Sequence, residues 1–141
     1  MSDIKGNEVL SGNEGAVYVN GELWSNVTKI DVKATAEFED VDFVGDAGTK
    51  KRFKGYKVDG SIEMKKIDSR VSKLIANGIK TGDMPDIKII TRQGKFNGQS
   101  ERVAVTGVVF PELTLIQLEA KAIITESLTL SAESFDYLDQ I

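Results

Sequence analysis

The chain has 141 residues and a net charge of −4, and it contains neither cysteine nor histidine. One domain is expected at this length, and it can bury roughly 68% of its unfolded surface. The composition excludes disulfides, thiolate chemistry and histidine-based catalysis or metal binding. The charges are spread along the chain without a basic excess, which argues against a nucleic-acid or anionic-membrane binder.

The first elements in chain order are a polar arm and a short hairpin. Residues 1–14 are rich in Asn, Gly and Ser, which predicts a flexible arm ahead of one domain over residues 15–141. No basic segment followed by an apolar run occurs there, so we expect a protein made and folded in the cytoplasm, with no signal peptide and no membrane anchor. "AVYVNGELW" predicts a hairpin, because Asn-Gly favours a type I′ turn. Trp24 closes this hairpin, and we expect it in the core.

Two long strands follow, each with strict alternation of apolar and polar residues, which predicts half-buried strands of one long hairpin. The apolar positions are Ile30, Val32, Ala34, Ala36 and Phe38, then Tyr56, Val58, Gly60, Ile62 and Met64. The polar positions are Lys29, Asp31, Lys33, Thr35 and Glu37, then Lys57, Asp59, Ser61, Glu63 and Lys65. Each polar face mixes both signs, so pairs across the strands are expected to be complementary.

The segment between these strands, "EFEDVDFVGDAGTKKRFKGYK", is acidic in its first half and basic in its second, with aromatic residues among the charges. It predicts a long hairpin loop at residues 39–55. A calcium site is not expected in it, because the twelfth position counted from Asp40 is Lys51, where such a loop needs Glu. Glu112 and Glu119 are candidates for an acid–base pair, but solvated surface carboxylates are the expected interpretation.

The remaining segments predict one helix and further strands. "DSRVSKLIANGIKTG" predicts an amphipathic helix at residues 68–78, with Asp68 or Ser69 at its start and Gly78 at its end. "DIKIITRQ" and "SERVAVTGVVF" predict a second hairpin that ends at Pro111. "ELTLIQLEAKA" fits a helix or a strand, "IITESLTLSAES" predicts a strand, and "FDYLDQI" reads as a short tail. About seven strands and one helix indicate a mainly β fold, an antiparallel β-sandwich or split barrel with one flanking α-helix.

The order of these segments resembles a known family. A polar arm, "GAVYVNGELW", a long hairpin with a charged tip, one helix, "GVVFPELTL" and "ESLTLSAESFDYLDQI" are similar to the tail tube protein of contractile phage tails, in the branch of PBSX-type defective prophages and phage tail-like bacteriocins. The resemblance runs from about residue 12 to the C-terminus. It rests on order and spacing and on "GAVYVNGE" and "SFDYL", and it carries no catalytic signature.

The resemblance implies a structural protein without a cofactor. Six copies would form a ring whose inner sheets join into a barrel, and rings would stack into the hollow inner tube of a contractile tail or tail-like particle. The implied partners are further copies of the chain, a sheath protein, and tape-measure and baseplate proteins, with DNA only passing through the lumen. The implied location is a virion tail or tail-like particle assembled in the bacterial cytoplasm. Open strand edges fit this, since pairing around a ring satisfies their backbone groups.

Three sets of residues receive expected roles in such a tube. We expect the tip loop to stack rings through Glu39, Asp40, Asp42, Phe43, Val44, Asp46, Lys50, Lys51, Arg52, Phe53 and Lys54. We expect the lumen to be lined by Lys29, Asp31, Lys33, Lys57, Asp59 and Glu63. Arg70 and Lys73, on the helix, are expected to face a sheath. The alternatives are a secreted ring protein of the type VI kind, and a monomeric β-sandwich that binds carbohydrate or protein; an enzyme is the least expected.

Overall fold

A computed structural model of the chain describes residues 15–94 and 99–140, and eight strands and one helix lie within them. The predicted arm at residues 1–14 lies outside this range. The elements in chain order are β1 (Gly15–Val19), β2 (Glu22–Leu23), β3 (Val27–Val41), β4 (Lys50–Lys65), α1 (Arg70–Thr81), β5 (Ile87–Gly94), β6 (Ser100–Val108), β7 (Thr125–Ala132) and β8 (Ser134–Asp139).

The strands form two antiparallel sheets that face each other. The large sheet has the order β2-β1-β5-β6-β8, and the hairpin sheet has the order β3-β4-β7. Neither sheet closes into a barrel within the described residues. The prediction of a mainly β antiparallel sandwich with one flanking helix is therefore confirmed.

Alternation along each strand places the core between the two sheets. The hairpin sheet contributes Val58, Ile62 and Met64, and the large sheet contributes residues such as Val19 and Ile89. Trp24 is also in this core with 3% of its surface exposed, as predicted. The Asn20-Gly21 turn that places it has positive φ at both residues, 50° and 83°, as a type I′ turn requires.

The long hairpin is more regular than the sequence predicts. Its strands pair as far as Val41 and Lys50, so the connection covers residues 42–49 and not the predicted 39–55. The extension has a physical reason: antiparallel pairing sets the acidic half of the segment opposite the basic half. Arg52 Nη1 lies 2.9 Å from Glu39 Oε1, and Asp40 pairs with Lys51.

The helix begins and ends later than predicted. It spans Arg70–Thr81, and Gly82 ends it with φ 83° and an N–H bond of 2.7 Å to the carbonyl of Gly78. Gly78 is thus inside the helix and does not cap it. A Cβ there would lie 3.1 Å from Met84 Cα and from Pro85 Cδ, so close packing explains this glycine.

The C-terminal part differs most from expectation. Residues 111–124, which include the ambiguous "ELTLIQLEAKA", form neither helix nor strand. The predicted tail forms β8, which pairs with β6 and so covers one edge of that strand. Alternation in the short "SFDYLD" is too brief to separate a strand from a tail, and its pairing partner is distant in sequence.

Candidate assembly surfaces

The six predicted lumen residues lie together on one face of the hairpin sheet. Lys29 is opposite Glu63, Lys33 is opposite Asp59, and Asp31 and Lys57 occupy alternate positions on the same two strands. Three lysines and three carboxylates make the set neutral. All six are at least partly exposed. The predicted grouping on one face is observed.

Strand β7 continues this polar face with hydroxyl groups that the predicted set omits. Its alternate residues Ser127, Thr129 and Ser131 lie opposite Glu63, Ser61 and Asp59. Ser131 Oγ donates a hydrogen bond of 2.9 Å to Asp59 Oδ1. The alternation in "SLTLSA" carries the signal for them, but sequence alone does not say which strand pairs with β4.

The opposite face of the long hairpin is buried only in its proximal half, which is the half farther from the tip. Beyond Val32, the alanines at 34 and 36 are exposed. Phe38 and Phe53 pack edge to face at 5.9 Å, yet each exposes 58% of its surface. The distal hairpin therefore carries an apolar face that the described residues do not cover.

The tip brings most of the predicted stacking charges into ion pairs within the chain. Besides the two pairs described above, Lys50 Nζ lies 3.6 Å from Asp46 Oδ2, and Asp46 Oδ1 accepts the N–H of Gly48 at 2.9 Å. Asp42 and Lys54 make no ion pair among the described residues. Phe43 and Val44 point into solvent, with 59% and 107% exposure.

The two outer strands of the hairpin sheet have open edges. No strand of the described residues pairs with the outer side of β3, which is 15 residues long. Among the described residues, the outer side of β7 is bridged where Ser131 meets Val109. Rows of unpaired N–H and C=O groups of this kind are templates for pairing with another chain.

A groove of about 800 Å³ lies beside the β3 edge, between that strand and the large sheet. Apolar side chains from both sheets line it, among them Ile30, Val32, Val103 and Phe135. These four are only partly buried. Within residues 15–94 and 99–140, the sandwich is therefore open along the same side as the free edge of β3.

The connection at residues 111–124 is a second apolar surface, and sequence reasoning did not single it out. Four aliphatic residues in it expose 76–83% of their surface: Leu115, Ile116, Leu118 and Ile123. Leu113, by contrast, packs against the chain's own core. Glu112 and Glu119, the candidate acid–base pair, are exposed in the same segment.

Of the two predicted sheath-facing residues, only Lys73 is exposed. The Arg70 side chain is 18% exposed, and its Nε donates to Asp68 Oδ1 at 3.1 Å. Its guanidinium also lies 6.0 Å from the centre of the Trp24 ring. Hydrogen bonds from Arg70 hold the pKa of Asp68 below its ordinary value. Arg70 thus joins the start of α1 to the core.

Two further properties of the described residues bear on binding. Within residues 15–94 and 99–140, no cluster of three or more acidic side chains is arranged to hold a metal ion. No helix in that part of the chain is long and apolar enough to cross a membrane.

Solved structures share this fold at low sequence identity. A chain from the anti-feeding prophage tube-terminating cap has a TM-score of 0.77 and 13% identity, covering 99% of this chain and 97% of its own. A chain from the sheath–tube complex of an extracellular contractile injection system in the extended state has a TM-score of 0.76 and 12% identity, with 98% and 100% coverage. A chain from the anti-feeding prophage baseplate, 6-fold symmetrised, has a TM-score of 0.66 and 8% identity, with 89% and 91% coverage.

A sequence search of curated proteins found no match. The family described as "Phage tail tube protein" matches residues 2–139, nearly the whole chain. This match and the shared fold confirm the resemblance to a contractile tail tube protein, while the PBSX-type branch stays a prediction. The chain belongs to the phage tail tube protein family and is a structural tail tube subunit.

Proposed function

We propose that six copies of this chain form a ring, and that the rings stack into the hollow inner tube of a contractile tail or tail-like particle. The observation that carries the proposal is the hairpin sheet, which has a polar face on one side and open edges at both outer strands. Joining such sheets edge to edge satisfies the backbone groups of both edges, and a closed ring leaves no edge free.

The two open edges favour a head-to-tail contact. Because β3 and β7 lie on opposite sides of β4, the β3 edge of one copy meets the β7 edge of the next. A contact between two different surfaces closes into a ring when the rotation per copy divides a full turn. Six copies per ring are supported by the sixfold symmetry of the similar baseplate chain's assembly.

The polar face of the hairpin sheet would then line the channel. Lys29, Lys33 and Lys57 are balanced there by Asp31, Asp59 and Glu63, with hydroxyl groups between them. A neutral lining suits passage of DNA or other cargo, because tight phosphate binding needs a cluster of uncompensated Lys and Arg.

In this proposal, the hairpin tip contacts the next ring and so stacks the rings. Exposed ion pairs are worth only about 0–1 kcal/mol each, and most of the tip charges already pair within the chain. Burial of Phe43 and Val44 against the next ring would supply most of the contact, at about 1.5–3 kcal/mol for each side chain. Asp42 and Lys54 are the tip charges left to set register.

The outer partners are proposed from the location of the similar chains. One of them comes from a sheath–tube complex and another from a baseplate. A sheath protein would contact the outside of the tube near Lys73, and baseplate and tape-measure proteins would contact its end and interior. Assembly would take place in the bacterial cytoplasm.

The experiment is sedimentation velocity over a range of concentrations, with negative-stain microscopy of the concentrated protein. Rings or rods with a central hole are expected. Rings that never stack would favour the type VI-like alternative. A uniform monomer at every concentration would contradict assembly and favour a binding module.

A further inference from the structure

The segment at residues 111–124, called here the aliphatic arm, exposes a group of aliphatic side chains. Leu115, Ile116, Leu118 and Ile123 expose most of their surface and lie within nine residues of each other. Monomeric proteins commonly expose single aliphatic residues, but a concentrated group of them marks an interaction site. The arm also lacks regular backbone pairing, so it is free to lie along another surface.

The groove beside β3 is an apolar surface that could receive the arm, and its position in the fold indicates which copy of the chain supplies that arm. The arm leads into β7, and the groove lies at the free edge of β3, so the two are on opposite sides of the hairpin sheet. A chain cannot easily bring its own arm across that sheet. In a second copy placed head to tail, the arm that leads into β7 would approach the β3 side of its neighbour, where the groove lies.

The sequence of the arm fits an apolar groove that opens beside a polar face. In an extended segment Ile116 and Leu118 share one side, while Gln117 and Glu119 share the other. The groove offers the same division, with Ile30 and Val32 toward the inside and Lys29 and Asp31 on the polar face of β3. The groove rim carries both signs, from Lys29, Arg92, Asp31 and Glu101.

We propose that the aliphatic arm of each copy inserts into the groove of the next copy, with Ile116 and Leu118 buried between the two sheets of the neighbour. This inference rests on the proposed ring. It adds the contact that holds neighbouring subunits of the ring together, because aliphatic side chains of one copy would fill the open groove of the next.

The first test is the double variant Ile116→Asp with Leu118→Asp, against the matched variant Thr114→Asp with Gln117→Asp in the same exposed segment. Both should leave the melting temperature of the single chain unchanged, because the replaced side chains are exposed. The aliphatic variant should raise the concentration needed for assembly by about 100-fold or more, because two aliphatic side chains are no longer available for burial in the neighbouring copy. The matched variant should assemble like the wild type.

The second test uses the absence of cysteine in the chain. Protein with Leu118→Cys is mixed with protein carrying Val103→Cys, and the mixture is oxidised. A disulfide-linked dimer should form in this mixture. It should not form when the Leu118→Cys protein is mixed with protein carrying Lys73→Cys. A disulfide within one chain between Leu10→Cys and Val103→Cys would instead assign the groove to the chain's own N-terminal residues and overturn the proposal.

The outcomes separate this inference from the proposed function. A wild-type chain that stays monomeric overturns both. Wild-type rings together with normal rings of the aliphatic variant overturn only the docking of the arm.

Discussion

At the scale of the residue, Gly60 fixes the approach of β3 to β4. It lies opposite Val32 in the centre of the hairpin sheet, and a Cβ there would lie 2.3 Å from the carbonyl oxygen of Asp31. That atom belongs to the backbone, so a side chain can be admitted only by separating the strands. Gly60→Ala should lower the free energy of unfolding by about 1–3 kcal/mol in urea denaturation.

Gly48→Ala is the matched glycine control. Its Cβ would meet only the Asp46 carboxylate at 3.5 Å, which is ordinary contact. The stability should change by no more than about 0.5 kcal/mol. Equal losses for both variants would show that the close approach of β3 does not explain Gly60.

The second prediction at this scale concerns Asp68 and pH. The pKa of its carboxyl is lowered chiefly by the hydrogen bond from the Arg70 side chain and further by that from the Arg70 N–H. A depressed folded-state pKa contributes stability that is present above the ordinary value of 3.8 and is lost as pH falls through the folded value. An NMR titration should therefore place the midpoint of Asp68 below 3.8.

Arg70→Gln should return the midpoint of Asp68 toward its ordinary value, because it removes the charged donor. Lys73→Gln is the control: Lys73 contributes to the shift of Asp68 only as the last and smallest cause, so its loss should move the midpoint little. A midpoint that is unchanged in Arg70→Gln would refute this account of the pair.

At the scale of the element, the long hairpin has two halves with different roles. The proximal half packs on the core, and the distal half carries exposed aromatic residues and a tip stabilised by local ion pairs. In Phe43→Asp, a charge replaces the ring that is proposed to enter the next ring of subunits. This variant should form rings of normal size but no tubes in negative-stain images.

Thr49→Asp places the same charge on the same exposed loop and should leave tube length normal. Tubes of ordinary length from Phe43→Asp would show that Phe43 does not take part in ring stacking. Loss of rings as well as tubes would assign the tip to contacts within a ring.

The same element shows what the sequence could predict. Alternation over many residues predicted both strands of the long hairpin and the six charged residues on one face, because period two fixes the face of every side chain. Sequence alone predicts a loop for the charge-split segment, because complementary pairing across the strands is visible only once the register is known. Sequence alone does not predict β8 or the aliphatic arm for a related reason: β8 depends on a partner strand that is distant in sequence, and four aliphatic side chains of the arm are mostly exposed instead of packed in the core.

At the scale of the whole molecule, the proposal divides the surface into an inside and an outside, and this division can be measured. Lys33 lies on the polar face of the hairpin sheet, and Lys73 lies on the exposed side of α1. In the cysteine-free background, Lys33→Cys and Lys73→Cys should react equally with a bulky polyethylene-glycol maleimide when the protein is monomeric. In assembled tubes Lys33→Cys should become protected, because the reagent is too large to enter the channel, while Lys73→Cys should stay reactive.

A small maleimide should still label both, which shows that size excludes the larger reagent. If Lys33→Cys stays open and Lys73→Cys is protected, the polar face lies outside the tube and the proposed lumen is wrong.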